Sequence, residues 1–152
     1  MIRLTGTAAL LLQRSDTGVI AVSPHDSVRT ALELMAARNV GAVVVLDGTR
    51  LVGILSERDY ARKVELMGRT AAGTKVAEIM TEEVVLVTPA TPIGTCNTLM
   101  HEHRIRHLPV MENGRVVGVL SSRDVLEEVV AEEAKQIQEL ETERLMIETG
   151  SY

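Results

Sequence analysis

The 152-residue chain is predicted to be an α+β protein, two tandem copies of a small β-α-β-β-α unit packed face to face with a ligand cleft between them. Three observations lead there. Residues 24–64 align without a gap on residues 89–129 at a constant offset of 65, with 13 of the 41 positions identical, which marks a tandem duplication. Within each copy the apolar pattern passes from a short continuous run to a helical stripe and then to a hairpin. A unit of about 60 residues buries too little surface to be robust alone, so the two copies should share a face, and such a cleft is where a ligand fits.

Each copy opens with a short apolar run, Val19 to Val22 or Val84 to Val87, that reads as a buried strand and is followed at once by a residue preceding Pro24 or Pro89. Asp26-Ser27 and Thr91-Pro92 are helix-start signals; Val28, Ala31, Leu32, Leu34 and Met35 then share one helical face, and the helices end near Asn39 and Arg104. Ala42 to Leu46 and Leu51 to Leu55 flank a turn at 47–50, as Leu108 to Met111 and Val116 to Leu120 flank Asn113-Gly114, so each pair reads as a hairpin. A second helix starts at Ser56 or Ser121. Short lead-in helices are expected at Ala8 to Gln13 and Val76 to Met80, and the Gly-, Ala- and Thr-rich stretch 70–74 separates the halves. The resulting division is a first domain at 8–66, a linker at 67–75, a second domain at 76–131 and an acidic helical tail at 132–152.

Composition narrows the function. Aromatic content is 1%, from Tyr60 and Tyr152 alone, which leaves no platform for stacking nucleic-acid bases. The formal charge is −5 and the sequence pI about 5.4, the wrong sign for a phosphate-backbone binder. That acidity belongs to the tail: residues 126–152 carry eight Glu against Lys135 and Arg144, while residues 1–125 carry 14 basic and 13 acidic side chains. The single Cys96 cannot form an internal disulfide, and the apolar run Ala8 to Leu12 is too short to span a bilayer. Met1 to Val22 lacks the features of a secretory leader, so the expected location is the cytoplasm, with no membrane and no nucleic acid among the partners.

The most specific local feature is Gly-Ile-Leu-Ser-Glu-Arg-Asp at 53–59 and its twin Gly-Val-Leu-Ser-Ser-Arg-Asp at 118–124. Ser followed three positions on by an acidic residue is a capping box. A cap does not need the Arg that both copies carry, however. A strand end presenting Ser, Arg and a short carboxylate at a helix start suits a nucleotide, with Asp accepting from ribose hydroxyls and Arg and amides meeting phosphate. Both readings stand on spacing alone.

These motifs, with Ser-Pro-His-Asp-Ser-Val at 23–28, Glu-Ile-Met-Thr at 78–81 and Arg-Ile-Arg-His-Leu-Pro-Val at 104–110, resemble the cystathionine beta-synthase (CBS) domain pair, or Bateman module, over roughly residues 8–131. The chain looks most like the small bacterial proteins consisting of one such pair of tandem CBS domains. The resemblance implies that adenosine ligands (AMP, ADP, ATP, NAD or S-adenosylmethionine) bind between the repeats. Asp59 and Asp124 would then hold ribose hydroxyls, with Ser56 and Ser121 beside them. Ile20, Val40, Val85 and Ile105 would line the pockets, with Thr81 flanking the second. Arg58, Arg123, Arg106 and His107 match places where related modules bind phosphate. Because Arg104, Arg106 and His107 stand opposite Asn39, Gly41 and Ala42 in the other copy, the two sites should differ in affinity.

His101, His103 and His107 form a short histidine run, but two residues apart on a helix they point to different faces and no zinc-site partner is nearby, so no metal is expected. Cys96 reads as a buried small residue. No general base with a partnered nucleophile appears, so the chain reads as a non-enzymatic nucleotide sensor. The competing reading is an interaction module with empty sites acting through its acidic helix. An IMP dehydrogenase-like enzyme would need a catalytic barrel that has no counterpart here. Apolar helix faces at Leu32, Met35, Leu99 and Met100 are expected to be exposed and to drive a homodimer. One long helix from Ser122 is expected to dock through Leu126, Val130, Ala134 and Ile137 and to fray toward Gly150.

Overall fold

The computed structural model describes residues 4–15 and 18–149. Helix α1 (Ala8–Arg14) precedes the first copy: β1 (Ala21–Val22), α2 (Val28–Arg38), β2 (Ala42–Asp47), β3 (Arg50–Ser56) and α3 (Glu57–Tyr60), the last continuing as a π-turn over Ala61–Glu65. Helix α4 (Val76–Ile79) precedes the second: α5 (Ile93–His103), β4 (His107–Glu112), β5 (Arg115–Ser121) and α6 (Ser122–Thr149). The expected α+β duplication is therefore the observed one. Helices α2 and α5 both end where expected, on a left-handed residue, Asn39 and Arg104, each at φ 54°. Asn113 and Gly114 both take positive φ, the two-residue hairpin turn read from that dipeptide.

The two sheets are not identical. In the first, β1 runs parallel to β2, which pairs antiparallel with β3. The second contains only β4 and β5, and the strand expected at Val84 to Val87 is reduced to one parallel bridge between Val87 and Val110. The cause is a single residue. In the first copy the Val44 amide donates to the Ile20 carbonyl at 3.2 Å. The position equivalent to Val44 is Pro109, which has no N–H to give, so that rung is missing and pairing resumes only at Val87. The first strand is also shorter than expected, two residues against the four of Val19 to Val22.

The second helices diverge for an equally local reason. The π-turn is followed by Gly68 at φ +70°, whose amide donates to the Glu65 carbonyl and stops the helix. The equivalent position is Glu133, and α6 runs on through it for 28 residues. Its docking face is not the expected one. Leu126, Val130 and Ile137 are 60%, 57% and 52% exposed, whereas Val125 and Glu128 are buried. The cap at Ser121 sets the rotation of the helix, and Glu128 pairs with Arg14 of α1, which leaves the expected stripe facing away. The fraying expected at Gly150 lies outside the described residues.

Each half has its own aliphatic core, and the lead-in helices are exchanged between them. Ala8 and Leu11 of α1 are buried with Val87, Ile93, Cys96, Met100, Leu108 and Leu120 of the second half. Val76 and Ile79 of α4 are buried with Val28, Met35, Val43, Val45 and Leu55 of the first. Matching backbone bonds hold both: Ala8 and Ala9 donate to the Thr91 and Pro89 carbonyls, Val76 and Ala77 to those of the equivalent Asp26 and Pro24. The linear domains and the packed cores therefore do not coincide. A further correction concerns the α2 and α5 faces expected to be exposed. Met35 and Met100 are 2% and 5% exposed, and Leu32 and Leu99 pack half-buried on the same cores.

The repeated glycine of the motif is explained by this exchange. A Cβ at Gly118 would clash with Leu12 Cδ2 of α1, and one at Gly53 would lie 2.7 Å from Met80 Sδ and 3.0 Å from the Thr81 carbonyl, just beyond α4. Each hairpin lets the other half's leading segment approach its backbone.

Candidate functional site

Strand β3 delivers Ser56 to the start of α3, where the Asp59 amide donates to Ser56 Oγ at 3.2 Å and Asp59 Oδ2 accepts from the Ser56 amide at 2.9 Å. Strand β5 does the same with Ser121 and Asp124, at 3.3 and 2.7 Å. Both are complete capping boxes, so the local reading of the motif holds. Yet one carboxylate oxygen suffices for the box, and each Asp also lines a cavity.

One cavity, of about 310 Å³, is bordered by Ser56, Arg58, Asp59 and Thr81 together with Val85, Ile105, Arg106 and His107. The other, of about 350 Å³, is bordered by Ser121, Arg123 and Asp124 together with Ile20, Val40, Arg106 and His107. They are related by the same offset of 65 that relates the repeats: Ile20 answers Val85 and Val40 answers Ile105. Each cavity thus joins a Ser and an Asp from the hairpin end of one half to an aliphatic wall from the other. All thirteen residues expected at the site border one cavity or both.

The two cavities share Arg106 and His107, at the start of β4, which sit opposite Gly41 and Ala42. The His107 ring lies over Gly41, where a Cβ would meet its Cε1 at 3.6 Å, an ordinary van der Waals distance. Burial and the neighbouring Arg106 guanidinium lower the His107 pKa, and Asp124 opposes them.

Their electrostatics differ. Asp59 Oδ1 meets Lys63 Nζ at 3.1 Å and accepts from Thr81 Oγ1 at 3.3 Å, while Lys63 also donates to the Ile79 carbonyl. The residue equivalent to Lys63 is Glu128, which turns instead to Arg14. Asp124 therefore keeps an oxygen with no protein partner among the described residues. Arg58 donates to the Arg104 carbonyl at 3.2 Å across the halves, whereas among the described residues no comparable bond holds Arg123. Sequence reasoning missed Lys63; the Lys-to-Glu change between the copies was its only signal.

The histidine run does not converge: His101 and His103 are exposed on α5, and His107 is in the cavity wall. Among the described residues no three His, Cys, Asp or Glu side chains come together as metal ligands. Cys96 is fully buried in the second core, which pushes its thiol pKa up.

Residues 15–66 and 76–131 each match the family described as the CBS domain. The mitochondrial CBS domain-containing protein CBSX3 of Arabidopsis thaliana is 42% identical over 120 residues, 76% of this chain and 58% of that one, so the match spans little more than half of that relative. The structure of a CBS-domain protein from Burkholderia ambifaria, described as a signal-transduction protein, superimposes with a TM-score of 0.80 at 41% identity, covering 82% of this chain and 94% of that one. Inosine-5'-monophosphate dehydrogenase of Staphylococcus haemolyticus is 32% identical over 122 residues, but these are only 24% of that enzyme. Two matched segments, a duplicated fold and the exchanged lead-in helices agree, and the chain belongs to the CBS-domain family.

Proposed function

We propose that the chain is a regulatory module that binds adenosine nucleotides, AMP, ADP, ATP or NAD, in these two cavities and signals by a change of shape or assembly. The observation that carries this reading is that each cavity sets a carboxylate from one half against aliphatic side chains from the other, with Arg106 and His107 between them. A ribose needs paired acceptors, a purine accepts an aliphatic sandwich where no aromatic is available, and a phosphate needs the cations. Ligand bound across the seam favours one arrangement of the halves over others, which is what a sensor requires. The proposed setting is cytoplasmic, and the proposed assembly is a homodimer.

The two sites are unequal in this reading. The free oxygen of Asp124 is available to ribose, whereas Asp59 must share its outer oxygen with Lys63 and Thr81. Calorimetry of ligand-stripped protein with AMP, ATP and NAD tests this. Asp124→Asn keeps an oxygen for the capping box and replaces the outer acceptor with a donor, so it should weaken the tighter site by about 1.5–3 kcal/mol, roughly tenfold to a hundredfold. Asp59→Asn should weaken binding less. No heat from any of the three nucleotides with wild type would sink the proposal.

A further inference from the structure

Helix α6 outruns the body it starts from. Every residue from Ile137 to Glu148 is exposed, and an isolated helix of that length is marginal in water. Along the helix, Leu126, Val130, Ile137, Leu140 and Ile147 are 60%, 57%, 52%, 65% and 59% exposed. Their spacing of four, seven, three and seven residues is a coiled-coil seam in which Glu133 and Arg144 occupy the two remaining positions. At about 100° per residue this seam lies roughly a third of a turn from the face that Val125 and Glu128 bury. The module therefore leaves it open.

The order of residues along the seam says what covers it. Reading toward the C-terminus from Val130 gives apolar, Glu, apolar, apolar, Arg, apolar. Laid against a second copy running in the opposite direction, Val130 is level with the partner's Ile147, Glu133 with the partner's Arg144, and Ile137 with the partner's Leu140. The twofold axis repeats each pair. Both charged seam residues thus meet opposite charges and all four central apolar residues meet apolar ones. A parallel pair would set Glu133 against its own copy and Arg144 likewise. Antiparallel pairing also sets Gln136 beside the partner's Glu143 and Ala134 beside the partner's Glu141, so like charges meet only at the outer ends, where Glu127 nears the partner's Glu148. We infer that the exposed face of α6 is a self-association surface whose occupant is the antiparallel α6 of a second copy, registered by two Glu133–Arg144 pairs. This surface is separate from the two cavities and does not depend on what they bind.

Charge exchange tests it on the full-length chain. Sedimentation velocity should show a self-associating wild type. Glu133→Arg alone sets Arg against Arg twice, and Arg144→Glu alone sets Glu against Glu twice; each should weaken association by about tenfold or more and halve the mass at intermediate concentration. The double variant restores both pairs with their signs reversed and should return association to within about threefold of wild type. A monomeric wild type, an oligomer indifferent to both single changes, or a double variant as weak as the singles would each overturn the inference; the last outcome would assign the face to a different partner. Circular dichroism of the four proteins, expected to agree, guards against a folding defect.

Discussion

At the scale of single residues, Ser56 and Asp59, like Ser121 and Asp124, close a capping box with one carboxylate oxygen and also border a cavity, so spacing alone could not separate the structural use from the proposed binding one. Asp59 and Asp124 look equivalent in sequence, and what distinguishes them is the residue one helical turn on, Lys63 or Glu128. His107 adds a pH dependence. Its pKa is lowered from the ordinary 6.5 by burial and by Arg106, so the native state binds fewer protons than the unfolded chain between the folded pKa and 6.5. The stability this contributes is complete above 6.5 and is lost as pH falls through that window toward the folded value. Thermal unfolding of ligand-free protein across this range should fall on acidification, and His107→Gln should remove that component of the fall; an unchanged profile would show that His107 does not titrate differently in the two states.

At the scale of elements, differences between the copies trace to single positions. Pro109 in place of Val44 removes one rung of the parallel pair, and Glu133 in place of Gly68 lets α6 run on. The shared glycine of the hairpins gives a graded prediction. At Gly53 an added methyl meets the Thr81 carbonyl as well as the Met80 side chain, so Gly53→Ala should destabilise by about 1–3 kcal/mol. At Gly118 only Leu12 must give, and the tight contact is the far end of a flexible side chain, so Gly118→Ala should cost under about 1 kcal/mol. Urea unfolding of the two variants measures the difference, and equal costs would contradict the packing described.

At the scale of the whole molecule, the exchange of α1 and α4 ties the halves together. Leu11 precedes the first domain in sequence but is 2% exposed in the core of the second. Leu11→Ala should cost about 2–5 kcal/mol. Hydrogen exchange should locate the loss in α5, β4 and β5 rather than in α2, β2 and β3. Protection lost first from the first half would mean that α1 belongs to that half instead. The exchange also makes each half dependent on the other's leading segment.

The duplication, the hairpins and the helix ends at Asn39 and Arg104 were legible in sequence, because each follows from local geometry or from the offset of 65 that carries one copy onto the other, whereas most of the thirteen residues that border the cavities were implied by the resemblance to the CBS pair. Local pattern has no access to which body a short helix joins or which way a long one is turned. Leu126, Val130 and Ile137 recur at helical spacing as an apolar stripe, yet the cap at Ser121 and the pairing of Glu128 with Arg14 rotate them outward. Met35 and Met100 sit on stripes of the same kind and are turned in. Periodicity specifies that a helix has an apolar face; only the packing of distant segments, through contacts such as Leu12 on Gly118, decides whether that face meets the core or is left for another molecule.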